Sequence, residues 1–221
     1  MTASASRPPA LFDLDGTLVD SAPGIIRSLS AAFAACGIRP PVADWRGFIG
    51  PPLPQMIDAA VPNLRPRERD AVVREYREHY ATIGLFDTAV FPGTAELLSA
   101  IARHGTSIYV VTNKPQKPAE MILSHLRLDS YAHRIIGGDP AGRLSKPEQT
   151  LRLAREDNFE GGTFVGDGLD DLLSAERIDA NFFLAEWGYG TRVVRATRPD
   201  VASLARPTDL LTACPGLCAP A

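Results

Sequence analysis

The stretch Phe12-Asp13-Leu14-Asp15-Gly16-Thr17-Leu18 ends an apolar run with two acids two positions apart and a glycine behind them. Alternate side chains of a strand share a face, so Asp13 and Asp15 would point the same way if the strand ran on. Gly16 breaks it there. The strand end then presents Asp13 to a pocket, while the turn aims Asp15 and the backbone N–H groups around Gly16 and Thr17 into the same space. These four residues are candidate site residues, and the spacing points to phosphoryl transfer. An isolated D-x-D-G also opens calcium loops. The residues that follow, Thr17, Val19 and Pro23 among them, do not supply the remaining ligands of such a loop.

The surrounding chain is that of an ordinary globular protein. Its 221 residues are 45% hydrophobic and 22% charged, with a formal net charge of -3, enough for one large domain or two small ones with a substantial core. A sequence pI near 5.8 and the lack of any basic run argue against a nucleic-acid polymer as partner. No run of about 18 apolar residues is present to span a bilayer, and the first residues carry no apolar signal core. The expectation is a cytoplasmic protein without a membrane partner, monomeric or weakly homodimeric. Cys36, Cys214 and Cys218 are too few and too uneven for a disulfide framework, and Cys214-Pro215-Gly216-Leu217-Cys218 reads as a frayed tail rather than a metal or disulfide pair.

Outward from the acid pair, short apolar runs at 10–14, 107–112, 134–136, 163–166 and 181–184 alternate with helical patterns. That order predicts an α/β fold, a doubly wound, Rossmann-like parallel sheet. From about residue 20 to residue 87 the strand signal vanishes and helical periodicity takes over. The span is too long for a crossover and predicts a small all-helical domain at 20–87, inserted into a core of 1–19 and 88–221. Ser21 is placed to cap a first helix ending at Cys36-Gly37. A second starts near Leu53, and a third, 66–83, carries Val72, Val73, Tyr76 and Tyr80 as its inner stripe.

Three further polar clusters follow strands, where an open parallel sheet collects its ligands. Thr112-Asn113-Lys114 offers a hydroxyl and successive amides for phosphate oxygens. Ser145-Lys146-Pro147 places a cation at a helix start, where the helix dipole also meets an anion. Gly166-Asp167-Gly168-Leu169-Asp170-Asp171 sends two acids, four residues apart, from a strand into a helix. Each has a bland reading alone: a solvated lysine, acids capping a helix. Their joint order, acid pair, Thr/Asn, Lys, acid cluster, is what chance seldom supplies.

With those residues in place the chain resembles the haloacid dehalogenase superfamily of phosphohydrolases over nearly its whole length, and the insertion resembles that family's helical cap of the first type. Phe91-Pro92-Gly93, Thr112-Asn113-Lys114-Pro115 and Trp187-Gly188-Tyr189-Gly190 are similar to the phosphoglycolate phosphatase branch, while Ile49-Gly50-Pro51-Pro52-Leu53 resembles a group labelled as 5′-nucleotidases. The resemblance implies a phosphatase in which Asp13 attacks phosphorus and becomes an aspartyl phosphate. Asp15 then protonates the leaving oxygen and later takes a proton from water. It also implies that Mg²⁺ is held by Asp13, the Asp15 carbonyl, Asp167 and Asp171, the last directly or through water. Lys146 neutralises the nucleophile and phosphate, and Thr112 with the Asn113 amide holds the transferring oxygens. The substrate implied is a small phosphorylated metabolite, with phosphoglycolate the first choice.

The same residues weigh against relatives. A halide leaves without a proton, so a dehalogenase has little use for Asp15, and no lysine precedes Lys114 to give an insertion-borne Schiff base. A 5′-nucleotidase and a catalytically silent phosphate-binding regulator stay open. Arg46, just before the Ile49–Leu53 segment, either pairs with a substrate carboxylate or lies in solvent. Trp45 and Phe48 either stack a base or fill the insertion's core, with the core preferred. Asn113 and Lys114 are candidate substrate contacts from the main domain. Two departures stand out. The turn Ile178-Asp179-Ala180-Asn181 lacks the usual glycine, which places Asn181 in a left-handed conformation, and Asp170 reads either as a helix cap or as a water-mediated ligand.

Overall fold

The computed structural model of the protein describes residues 7–40, 42, 44–139 and 144–218. In chain order its elements are β1 (Ala10–Phe12), β2 (Val19–Asp20), α1 (Ala22–Ala35), α2 (Leu53–Ala60), α3 (Pro66–Thr82), β3 (Ala89–Val90), α4 (Thr94–Arg103), β4 (Ile108–Pro115) and α5 (Gln116–His125). They continue with β5 (Arg134–Gly138), α6 (Lys146–Glu156), β6 (Thr163–Gly166), α7 (Leu169–Arg177), β7 (Asn181–Ala185), α8 (Thr191–Thr197), β8 (Ser203–Leu204) and α9 (Leu210–Ala213). Among the described residues the strands form a parallel six-stranded sheet ordered β5-β4-β1-β6-β7-β8 and an antiparallel ribbon of β2 and β3.

β1 sits in the middle of the sheet because every side chain on it is apolar and buried. Ala10 and Phe12 pack into one hydrophobic cluster and Leu11 into another, so both faces of the sheet are covered, as a parallel sheet requires. The helices α1 to α3 lie between β2 and β3, whose pairing of Val19 with Val90 and Asp20 with Ala89 brings the chain out of and back to the sheet side by side. The inner stripe Val72, Val73, Tyr76 and Tyr80 is buried, and the insertion shares one continuous apolar cluster with the sheet. Trp45 is buried against Phe33, ring centroids 5.4 Å apart, so it fills the interior of the insertion rather than offering a face to a base.

Gly24 of α1 lies against Gly84, where a Cβ would meet the Gly84 carbonyl oxygen at 1.9 Å. Backbone cannot give way like a flexible side chain, so Gly24→Ala is expected to destabilise the protein by about 1–3 kcal/mol or more. A thermal midpoint equal to wild type would contradict this packing.

Three local expectations are corrected. Ser21 precedes α1, but its hydroxyl is buried and makes no capping bond. With Pro23 at the second helical position, that hydroxyl has no N–H to serve there, and the neighbouring Ala22 N–H is taken by Asp20 Oδ1 at 3.3 Å and by the Tyr189 hydroxyl at 3.1 Å. The left-handed residue of the turn before β7 is Asp179, at φ 56, not Asn181, whose N–H is needed in the sheet by the Gly162 carbonyl at 2.9 Å. The terminal segment as far as Cys218 is docked rather than frayed: Leu217 is buried, and its carbonyl accepts a hydrogen bond from Thr106 Oγ1 at 2.9 Å. All three cysteines are free thiols.

Candidate active site

The sheet register assembles the site. Phe12 is level with Val110 of β4 on one side and Val165 of β6 on the other, so Asp13, one residue on, emerges between Thr112 and Asp167 at the carboxyl edge of three adjacent strands. All three side chains are buried. α6 delivers Lys146 to the same point because Ser145 and Glu148 form a capping box that fixes where the helix begins. The Lys146 ammonium contacts both Asp13 Oδ1 and Asp171 Oδ1.

Asp167 is fixed from several sides. Thr17 Oγ1 donates to Oδ1 at 3.3 Å, and the amides of Tyr189 and Gly190 donate to Oδ2 at 2.6 and 2.9 Å. Asp171 Oδ2 accepts from the Gly168 N–H at 2.9 Å, closing the first turn of α7. Ligand oxygens of Asp13, Asp167 and Asp171 lie within 4.8 Å of one another. Three buried carboxylates lie around one ammonium, which touches two of them, and among the described residues no second side-chain cation pairs with the triad. Burial pushes Asp13 up to about 7 against the pull of Lys146, and burial together with the Asp13 charge pushes Asp167 to about 7; Asp171 is raised as well, chiefly by burial. Burial opposes the charge on Lys146, but Asp13 and Asp171 hold it protonated and raise its pKa. A closely spaced, all-oxygen, electron-rich donor set of this kind fits a hard divalent cation.

Asp15 lies apart from that triad. Its Oδ2 pairs with the Lys114 ammonium at 3.0 Å, and its Oδ1 is buried with no protein partner among the described residues. Lys114 is itself buried, 4.8 Å from the centre of the Tyr80 ring of α3. Burial opposes its charge, but Asp15, then Tyr80 and Tyr76, raise its pKa. Thr112 Oγ1 accepts from the Lys114 N–H at 3.2 Å, which leaves the hydroxyl hydrogen free to donate. The Asn113 amide reaches Gly50 of the insertion and Asp170 of α7.

The remaining candidate residues are placed as follows. The amides of Gly16 and Thr17 do not face a ligand; they close the turn itself, donating to the carbonyls of Val19 at 2.9 Å and Leu14 at 3.3 Å. Gly16 serves instead by its left-handed φ of 88 and by its small size, since a Cβ there would fall 2.6 Å from Asp167 Oδ2. Arg46 is exposed and, among the described residues, its guanidinium makes no hydrogen bond or ion pair. Reading the sequence missed the structural work of Trp187-Gly188-Tyr189-Gly190. Trp187 Nε1 donates to the Thr17 carbonyl at 3.0 Å, Tyr189 Oη donates to Asp20, and a Cβ on Gly188 would lie 2.1 Å from that of Asp167. The paired glycines were the available signal, marking a close backbone approach.

A family model of haloacid dehalogenase-like hydrolases matches residues 10–185, which contain every acid of this site and Lys146. The chain belongs to that family. This hydrolase is 35% identical over 212 residues to a 5′-nucleotidase of Pseudomonas aeruginosa, covering 91% of this chain and 96% of that protein. It is 31% identical over 207 residues to a phosphoglycolate phosphatase of Aquifex aeolicus, covering 91% and 93%. Among solved structures, a predicted phosphatase from Clostridium acetobutylicum aligns with a TM-score of 0.84 at 26% identity, over 95% of this chain and 98% of the other. No helix among the described residues of the hydrolase is long and apolar enough to cross a membrane.

The raised acids carry a consequence for the metal-free hydrolase. Asp13 and Asp167 keep protons to about 7 when folded and release them near 3.8 when unfolded. Between those values the folded state binds more protons than the unfolded one, so stability falls as pH rises through that window. Under chelation the thermal midpoint is expected to drop from pH 5 to pH 7.5, and added divalent cation to flatten the drop. A chelated midpoint that climbs over this range would contradict the surplus of buried negative charge.

Proposed function

We propose that this phosphatase hydrolyses a small phosphomonoester through an aspartyl phosphate on Asp13, with Mg²⁺ as cofactor and phosphoglycolate as first-choice substrate. The observation that carries the reading is the separation of two acids two residues apart: Asp13 lies with Lys146 and the acid triad, and Asp15 lies apart, held by Lys114 through one oxygen, with no partner for the other among the described residues. In the first step an Asp13 oxygen bonds to phosphorus as the ester P–O bond breaks, and the departing alkoxide takes a proton from Asp15. In the second, Asp15 takes a proton from the water whose oxygen attacks the aspartyl phosphate, which releases phosphate and regenerates the Asp13 carboxylate. Lys146 neutralises the nucleophile before attack and the transferring oxygens during it, and the free Thr112 hydroxyl hydrogen with the Asn113 backbone N–H holds those oxygens. Asp13, Asp167 and Asp171, with the Asp15 carbonyl, are the groups to hold Mg²⁺, which when bound supplies the positive charge that lets a phosphate dianion approach so many acids.

The helical insertion at 20–87 serves in this reading as a cap over the leaving group. Phosphoglycolate is favoured over nucleotides on two grounds. The buried Lys114 ammonium stands beside Asp15, at the leaving-group end, where it meets the charge of a substrate carboxylate, and Trp45, the residue best suited to stack a base, is inside the insertion. The test is phosphate release from a panel of monoesters with Mg²⁺. The expected kcat/KM for phosphoglycolate exceeds that for nucleoside 5′-monophosphates by about tenfold or more, the worth of one charge-assisted contact. The reverse preference would transfer the chain to the nucleotidase reading, and release from no ester would mark a silent regulator.

A further inference from the structure

Asp170 has no part in the chemistry above. It is not the cap of α7 either, because the N–H of Gly168 at that helix start is served by Asp171. Its Oδ2 accepts a hydrogen bond from Asn113 Nδ2 at 2.7 Å, and the same nitrogen donates to the main-chain carbonyl of Gly50 at 3.1 Å. A primary amide nitrogen has two hydrogens, so both bonds form at once, one into the core and one into the insertion. Gly50 sits on the loop before α2 with φ 133, a conformation that L side chains rarely adopt, although a Cβ there would meet nothing within 4 Å. What position 50 requires is therefore backbone direction rather than space, and that direction puts its carbonyl within reach of Asn113.

We propose that Asp170 is a positioning residue for closure of the helical insertion: it orients the Asn113 amide so that the second N–H holds Gly50. The carboxylate fixes which way the amide faces, because reversal would set the amide oxygen against it and against the Gly50 carbonyl. On the phosphatase reading, with which the kinetic part of this inference stands, Asn113 has two roles. Its backbone N–H faces the transferring phosphoryl group, and its side chain joins the insertion to β4 and α7. Closure over the leaving group and the grip on phosphate then share one residue, flanked by Thr112 and Lys114.

The experiment is amide hydrogen exchange on the full-length protein without substrate, for wild type, Asp170→Ala, Asp170→Asn, Asn113→Ala and the double variant Asp170→Ala/Asn113→Ala. Both alanine variants are expected to speed exchange at residues 47–50 about tenfold, as loss of a charge-assisted hydrogen bond would. Asp170→Asn, whose amide oxygen still accepts, should stay within about threefold of wild type, and the double variant should be no faster than either single one. A parallel fall in kcat/KM for Asp170→Ala is expected with no change in the Mg²⁺ concentration giving half-maximal rate. Wild-type exchange in both alanine variants overturns the proposal, as does Asp170→Asn exchanging as fast as Asp170→Ala, which would make charge rather than orientation the cause. So does a raised Mg²⁺ requirement with unaltered exchange, which would assign Asp170 to the metal. The exchange arm needs no turnover, so its failure is separate from failure of the phosphatase reading.

Discussion

Asp13→Asn is expected to lower phosphate release by at least about 10⁴-fold, the scale on which enzymes lose rate when a covalent nucleophile is removed. The substituted amide keeps the size and shape of the carboxylate but supplies no anionic oxygen to bond to phosphorus. The fold should survive, for a specific reason. Asp13 is already disfavoured as an anion in the metal-free protein, pushed to about 7 by burial, and Lys146 keeps Asp171 as a partner after the change. The thermal midpoint under chelation is therefore expected to be no lower than wild type at pH 7.5, while protein-bound phosphate, trapped by acid quench during turnover, disappears. A variant that retained more than about 1% of wild-type turnover would exclude Asp13 as the attacking group, because loss of a nucleophile leaves far less.

The second large effect is on stability as well as rate. Lys146 is 2% exposed, and its ammonium is the cation that touches the acid triad. Lys146→Met keeps most of the buried volume and removes that charge, leaving Asp13 and Asp171 facing Asp167 with nothing between them. Breaking a buried pair by deleting one partner costs about 3–5 kcal/mol, which for a chain of this length lowers the thermal midpoint by roughly 6–20 °C. The acids can escape the penalty by taking up protons, so the deficit should be smaller at pH 5 than at pH 8, and divalent cation should restore part of it. Activity should fall about 10²–10³-fold, the range for losing one electrostatic stabiliser of a developing charge. A variant with a wild-type midpoint in chelator at pH 8 would show that the triad does not carry the surplus charge assigned to it.

Much of this was legible in the sequence because the signals are local. A glycine behind two alternating acids ends a strand whatever surrounds it, and the runs at 163–166 and 181–184 announce strands by side-chain type alone. Five of the sheet's strands, the helical insertion and the order of the four polar clusters follow from such short-range rules. β8 and the ribbon of β2 and β3 did not show, because two-residue strands have no period to read; each is defined by its neighbour.

The sequence by itself determined which groups this protein has for chemistry and that they gather at one edge of a parallel sheet. Which oxygen meets which nitrogen was decided only by the tertiary structure. Lys146 and Asp13 are 133 positions apart and Thr17 and Asp167 are 150 apart, so their pairing depends on strand order and register rather than on spacing. The same cause explains why Gly16 and Thr17 looked like ligand donors but spend their amides inside the turn, and why the pairing of Lys114 with Asp15 could not be read from their spacing. It also explains why Asp170, read as a helix cap or a water-mediated ligand, lies one amide away from the insertion. Local rules fix where a backbone bends. A buried charge takes its partner from whatever the packed fold brings within about 3 Å, because a buried charge left unpaired costs too much to persist.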